Sequence, residues 1–238
     1  MALHLARSLI SCPAFDPSDV LSRYVDWWRQ DAADSGPTAG RVLQLIANGM
    51  APEDAVCTAD REALGRTAGC NPAHRAVPLA AAPSVADDQL AVTAIAEARL
   101  THKHPLAGDV SAAVVVLCRA LIRGMSWESS LIESRVCRLP ETAEALSDSQ
   151  LEPRNSGGYA PDVLQAACSF VEAAPSFDAA LAASLRFAGP ANYCPVLVGA
   201  IAGARWGRST INPRSLHHPM ALAKFPELEA IADSLPLT

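Results

Sequence analysis

Apolar residues recur along this chain every three or four positions and never alternate every two for long. That period restricts the fold more than any other feature, because a strand shows alternate residues to one face whereas a helix shows every third and fourth. The richest β-branched run, Val114-Val115-Val116, lies inside "VSAAVVVLCRALIRG", whose pattern is helical. The expected class is all-α, one domain over residues 1–238, without repeats or low-complexity segments. Composition agrees: half the residues are hydrophobic but only 5% are aromatic. Alanine, leucine and valine fill close-packed helices better than a β-sandwich.

Start and stop signals divide the chain. Leu3, Leu5, Ala6, Leu9 and Ile10 form an uncapped stripe, so the chain is expected to begin inside a helix. Asp16, Pro17 and Asp19 open a second helix with Val20, Leu21, Tyr24, Val25 and Trp28 on one face. Further helices are expected before Gly49, after Pro52, over 86–99, within 110–124, over 126–150, 161–174, 176–187, 195–206 and 222–234. Residues 69–83 hold too many prolines for a regular element and read as a structured loop leading to a short helix. Gly199, Ala200, Ala202 and Gly203 suggest that helix 195–206 is tightly packed against its neighbours.

The formal net charge of −6, with no Lys/Arg block, argues against nucleic acid and anionic membranes as partners. Seven scattered cysteines without CxxC or close Cys/His spacing suggest neither a disulfide framework nor a zinc site, but reduced thiols in a cytoplasm. "MALHLARSLISCPAF" lacks a basic n-region, and His4 and Arg7 break its apolar run; no segment is expected to reach membrane-spanning length. The oligomeric state is not legible.

Four segments in order, "GCNPAHRAVPLA", "ARLTHKHPLA", "NSGGYAPDVLQAA" and "RFAGPANYCPVLVGAIAGARWG", together with "DSGPT" at 34–38, resemble the ADP-ribosylglycohydrolase family, which includes the dinitrogenase-reductase-activating glycohydrolases. Thr101-His102 before Pro105, and "GAIAGA" with Arg205 and Gly207 after it, are the most specific pieces. The resemblance runs from residue 1 to about 208. It implies a compact orthogonal helical bundle with a binuclear magnesium or manganese centre in a cleft. That centre helps cleave the glycosidic bond joining ADP-ribose to an acceptor. Its ligands come from an Asp-Asp-Thr loop near the N-terminus and an Asp-Thr-Asp-Thr loop before the small-residue helix, as hard cations require.

Set on that pattern, "GGDTDT" becomes Ala188, Gly189, Pro190, Ala191, Asn192, Tyr193, with both acids and both threonines replaced. Met1 falls just after the place of the Asp-Asp-Thr loop, so the chain is expected to be truncated there. The resemblance therefore implies a bundle without the metals and without any cofactor. His102 and His104, two apart, are expected on different sides. His217-His218 and Asp87-Asp88 read as solvated or capping groups rather than ligands.

The candidate site is a polar set on loops that meet at the ancestral cleft: His102 and Tyr193 as catalytic groups, with His74, Arg75, Tyr159, Asn192 and Cys194 as ligand contacts. Histidine, tyrosine and cysteine supply acid–base chemistry without a metal. Tyr159 matches the family's glycine-and-tyrosine loop at the ribose and adenine region. Arg75 matches a loop near the distal ribose and phosphates, and is equally suited to tying loop carbonyls together. The expected function is a metal-independent enzyme acting on a nucleotide-sugar, an N-glycoside or a related small metabolite. The alternative is a non-catalytic nucleotide-binding or regulatory pseudoenzyme. A structural partner with an empty cleft is the third reading.

Overall fold

The computed structural model describes residues 1–30, 35–147, 152–154, 157–188, 193–213 and 219–235, with the backbone alone for 219–225. The helices are α1 (Ala2–Ser11), α2 (Pro17–Gln30), α3 (Pro37–Ala47), α4 (Pro52–Glu62), α5 (Asn71–Arg75), α6 (Pro78–Ala81) and α7 (Asp87–Arg99). They continue with α8 (Pro105–Ile122), α9 (Trp127–Ser134), α10 (Pro140–Ser147), α11 (Ala160–Ala173), α12 (Phe177–Ala188) and α13 (Tyr193–Trp206). A 3-10 turn at Arg208–Thr210 and α14 (Pro219–Ser234) complete the order. Among the described residues there is no strand, only one isolated bridge between Gly69 and Tyr159.

Proline opens many of these helices, at 17, 37, 52, 78, 105, 140 and 219. At that position its missing N–H is not needed and its fixed φ already suits the helix. The same property turns the proline-rich 69–83 segment into two short helices, α5 and α6, where a structured loop leading to one short helix was expected: Pro72 and Pro78 lie in their first turns.

α8 organises the molecule. Fifteen of its 18 residues are buried, and it packs against α5, α6, α7, α9, α10, α11 and α13. Contrary to the sequence expectation, it is long and apolar enough by composition to cross a membrane, but 83% of that window is buried inside the protein. Its apolarity is that of a core helix. A smaller cluster of Val42, Leu45, Ala55, Val56 and Ala59 joins α3 to α4.

Buried arginines fasten the connections. Arg119 of α8 donates to the carbonyls of Leu79 (2.7 Å), Ala80 (3.1 Å), Ala82 (2.8 Å) and Val85 (2.6 Å), holding the turn that follows α6. Asp109 accepts from the Leu139 amide at 2.8 Å and from Arg138 at 3.3 Å, which anchors the loop before α10. Arg205 lies between the rings of Trp127 and Trp206, at 4.9 and 4.8 Å, and donates to the Val171 carbonyl at 2.7 Å. The "GARWG" signature is thus a structural clasp on α11 and α9.

One packing expectation is corrected. Leu197, Val198, Ile201 and Ala202 of α13 are buried, but a Cβ built at Gly199 or Gly203 meets no described atom within 4 Å. The glycines lie on the helix's outer stripe. The close approach occurs instead at Gly108 of α8, where a Cβ stands 3.4 Å from Ile95 and 3.7 Å from Ala98 of α7.

Candidate functional site

Two loops distant in sequence are stitched together at the site. The Cys70 amide donates to the Gly158 carbonyl at 3.0 Å, and the Ala160 amide donates to the Ala68 carbonyl at 2.9 Å. A third segment is tied on by Asn71, whose side-chain amide donates to the Ser35 carbonyl at 3.1 Å. Gly36, at φ 71°, makes this approach possible: the backbone is left-handed there, and a Cβ would collide with the Asn71 amide.

These ties shape a cleft of about 550 Å³. Its walls come from Pro37 and Thr38 at the start of α3, Arg66 after α4, Gly69 and Asn71, the 102–104 loop, and Tyr159 with Tyr193. His102 is only 2% exposed. Its Nδ1 pairs with the Thr101 hydroxyl at 2.9 Å. Its Nε2 edge faces Gly69, standing 3.3 Å from where a Cβ on that glycine would be. Burial, aided by the Arg75 charge, lowers the pKa of His102 to about 3, so the ring is neutral at physiological pH.

His104 also borders the cleft, rather than pointing away from His102 as a helix would direct it. The two histidines lie before the helical φ/ψ of α8 begins. The Nδ1 of His104 caps α8 by accepting from the Leu106 amide at 3.3 Å.

Tyr159, 38% exposed, stands between the cleft and a smaller acidic pocket lined by Glu141, Glu144 and Asp162. Its hydroxyl pKa is raised, first by burial and then by Glu141 and Asp162. The Tyr193 ring lies against Gly158, with Cε1 3.4 Å from the position of a Cβ there. A side chain at 158 would displace that ring.

The structure brings His102, Tyr159 and Tyr193 together at the cleft. Cys194 is buried in a narrow crevice beside Tyr193, Phe187 and Val163, and burial pushes its thiol up to about 12. A thiol so held is a packing group, not a nucleophile. His74 is half-buried on α5 and does not border the cleft. Arg75 lies in the core, 3% exposed, donating from Nε to Glu97 Oε1 at 2.6 Å and from Nη2 to the Glu97 carbonyl at 3.3 Å. The role is structural, but the tie runs to Glu97 on α7 and not to loop carbonyls as the sequence suggested. Asn192, with residues 189–191, lies outside the described residues, as does His217-His218.

Thr38, Arg66, Asn71 and His104 border the cleft without having been singled out as site residues. For Thr38 the "DSGPT" match was a usable signal; Arg66 carried none, being one exposed arginine after a helix.

The described walls do not fit a pair of hard divalent cations. They offer hydroxyl, amide and imidazole groups and the guanidinium of Arg66, but no carboxylate. No cluster of three His, Cys, Asp or Glu side chains suited to a metal occurs among the described residues. The 188–193 segment contains no acid in its sequence.

Comparison with known proteins places this geometry. The sequence model of the ADP-ribosylglycohydrolase family matches residues 1–237. The ADP-ribosyl-[dinitrogen reductase] glycohydrolase of Rhodospirillum rubrum is 26% identical over 213 residues, covering 87% of this chain and 67% of that protein. A solved structure described as an ADP-ribosylglycohydrolase-related protein complex superposes with a TM-score of 0.81 at 29% identity, covering 98% of this chain and 78% of the other.

Proposed function

The chain belongs to the ADP-ribosylglycohydrolase family, and from that premise we propose that its cleft binds a nucleotide-like small molecule without metal-assisted hydrolysis. The observation that carries this reading is the segment Ala188-Gly-Pro-Ala-Asn-Tyr193, in which the family's four metal-ligand side chains are replaced. Ligands of hard cations are carboxylates above all, and a single amide oxygen does not take their place.

The groups left around the cleft favour binding over proton transfer. General acid–base catalysis works best with a pKa near the working pH. His102, at about 3, is not an imidazolium at the working pH and so is no general acid, and it is a weak base. Cys194 is pushed up to about 12. We therefore assign His102 and Tyr193 to recognition: the neutral imidazole hydrogen-bonds the ligand through Nε2, and the Tyr193 ring narrows the floor. Tyr159 offers its face at the rim for a planar base, and Arg66 offers charge to a phosphate.

A second reading, a metal-independent hydrolase, draws support from His104. With Nδ1 occupied by the helix cap, its Nε2 makes no other hydrogen bond among the described residues.

Isothermal titration of the intact chain with ADP-ribose, ADP and adenosine tests the first reading. Saturable binding of at least one of them, weakened about tenfold by Tyr159→Ala and unchanged by Mg²⁺ or Mn²⁺, is expected. Release of ADP-ribose from ADP-ribosyl-arginine only when Mn²⁺ is present would overturn it. Metal-free release abolished by His104→Ala would favour the second.

A further inference from the structure

The ring of His102 also borders a second cavity, of about 580 Å³, which the reading of the cleft leaves unused. It lies between the first turns of α2, the first turns of α4 and the last turn of α7. Leu21, Val56 and Leu100 give it an apolar floor.

Its polar groups are unevenly distributed. Arg99 and Lys103 are exposed lining residues, while Glu53 is the one carboxylate among the residues that border it. Arg99 makes no hydrogen bond or ion pair among the described residues. Lys103 reaches only Asp60, at 3.9 Å, with half its side chain in solvent. The two helix starts that enter the cavity also differ. In α2, Asp16 caps the amides of Ser18 and Asp19 at 2.9 and 3.2 Å. In α4 the N-cap is Ala51, which supplies no side-chain acceptor, but Glu53 and Asp54 in the first turn already set negative charge there. The positive charge left for an incoming anion is therefore that of Arg99 and Lys103, two cations not fully paired.

We propose that this cavity is a binding site for an amphipathic carboxylate, a medium-chain fatty-acid anion. The carboxylate lies toward Arg99 and Lys103, and the alkyl chain covers Leu21, Val56 and Leu100. The volume is in the range of small-molecule sites, and an apolar body with one polar end is what such a lining selects. An arginine offers a carboxylate two parallel donors, so the headgroup gains orientation as well as charge. The site is separate from the function proposed for the cleft and stands without it.

The test is titration calorimetry of the intact chain with sodium octanoate below its micellar range, beside octylammonium and octanol. Octanoate is expected to bind saturably at one site, octylammonium not at all, and octanol more weakly. Arg99→Glu should weaken octanoate at least about tenfold, the effect of losing a charge-assisted pair. Leu21→Trp, which fills the floor, should abolish binding. Tyr159→Ala should leave octanoate binding intact, which separates this site from the cleft. No saturable octanoate binding, equal binding of octylammonium, or full binding by a folded Arg99→Glu variant each overturns the proposal. Because Arg99 is exposed, that variant decides the matter even where Leu21→Trp does not fold.

Discussion

Arg75 and Glu97 form an ion pair of 2.6 Å whose two side chains are shut away from solvent, at 4% and 0% exposure. The Tyr24 hydroxyl donates to the same Glu97 oxygen at 2.7 Å, and the Arg75 guanidinium lies over the Tyr24 ring at 5.1 Å. The pair thus joins α2, α5 and α7 behind the cleft. Removing one partner leaves the other charge buried and alone. Arg75→Ala or Glu97→Ala is expected to cost about 3–5 kcal/mol, and the double variant Arg75→Leu/Glu97→Leu less than either alone. Urea unfolding of the three variants checks this; a double variant as unstable as the sum of the singles would refute it.

Arg119 is a second buried arginine, serving four carbonyls and, at 3.0 Å, the half-exposed carboxylate of Asp87. Arg119→Met should destabilise the protein by about 3 kcal/mol or more, because those acceptors lose their donors in the interior. Arg119→Lys should recover only part, since one ammonium does not reproduce the planar fork. Equal melting temperatures for wild type and the lysine variant would show that charge alone suffices.

The α13 glycines and Gly108 should respond oppositely. Gly203→Ala places a methyl in open space and improves helix propensity, so stability should rise by up to about 1 kcal/mol. Gly108→Leu forces a side chain onto Ile95 and should cost about 1–3 kcal/mol. Thermal or urea melts of both variants read this directly. A destabilised Gly203→Ala would place a neighbour on the outer stripe of α13.

His102 makes stability depend on pH. Its folded pKa of about 3 lies below the ordinary 6.5, so between these values the unfolded chain takes up a proton that the folded chain refuses. The contribution is fully present above pH 6.5 and is lost as pH falls toward 3. The loss runs at about 1.4 kcal/mol per pH unit. His102→Gln removes the titrating group. The stability difference between wild type and this variant should therefore shrink as the solution is acidified, measured by urea unfolding from pH 7.5 to 4.5. A difference that stays constant with pH would mean that the ring is protonated in the folded state.

The helices were open to reading from residue order alone, and the loss of acids at 188–193 once that order was set on the family's pattern. Period, proline and cap residues are local properties of a chain, and an aspartate replaced by proline, or by an uncharged asparagine, loses its carboxylate in any fold. The convergence of the 69–71, 102–104 and 158–159 segments was legible only through resemblance to a family, because pairing across so many residues leaves no local mark. Other features waited for the tertiary structure. Arg75 is a core ion pair only because α5 sets it opposite Glu97 of α7. His102 stays neutral well into acid because the surrounding helices exclude water from it. Gly199 and Gly203 fit a packed seam or a bare face equally well on paper, since a glycine has no side chain to show which way it points. Which faces meet, and therefore which charges are stripped of solvent, is decided by how the helices pack together.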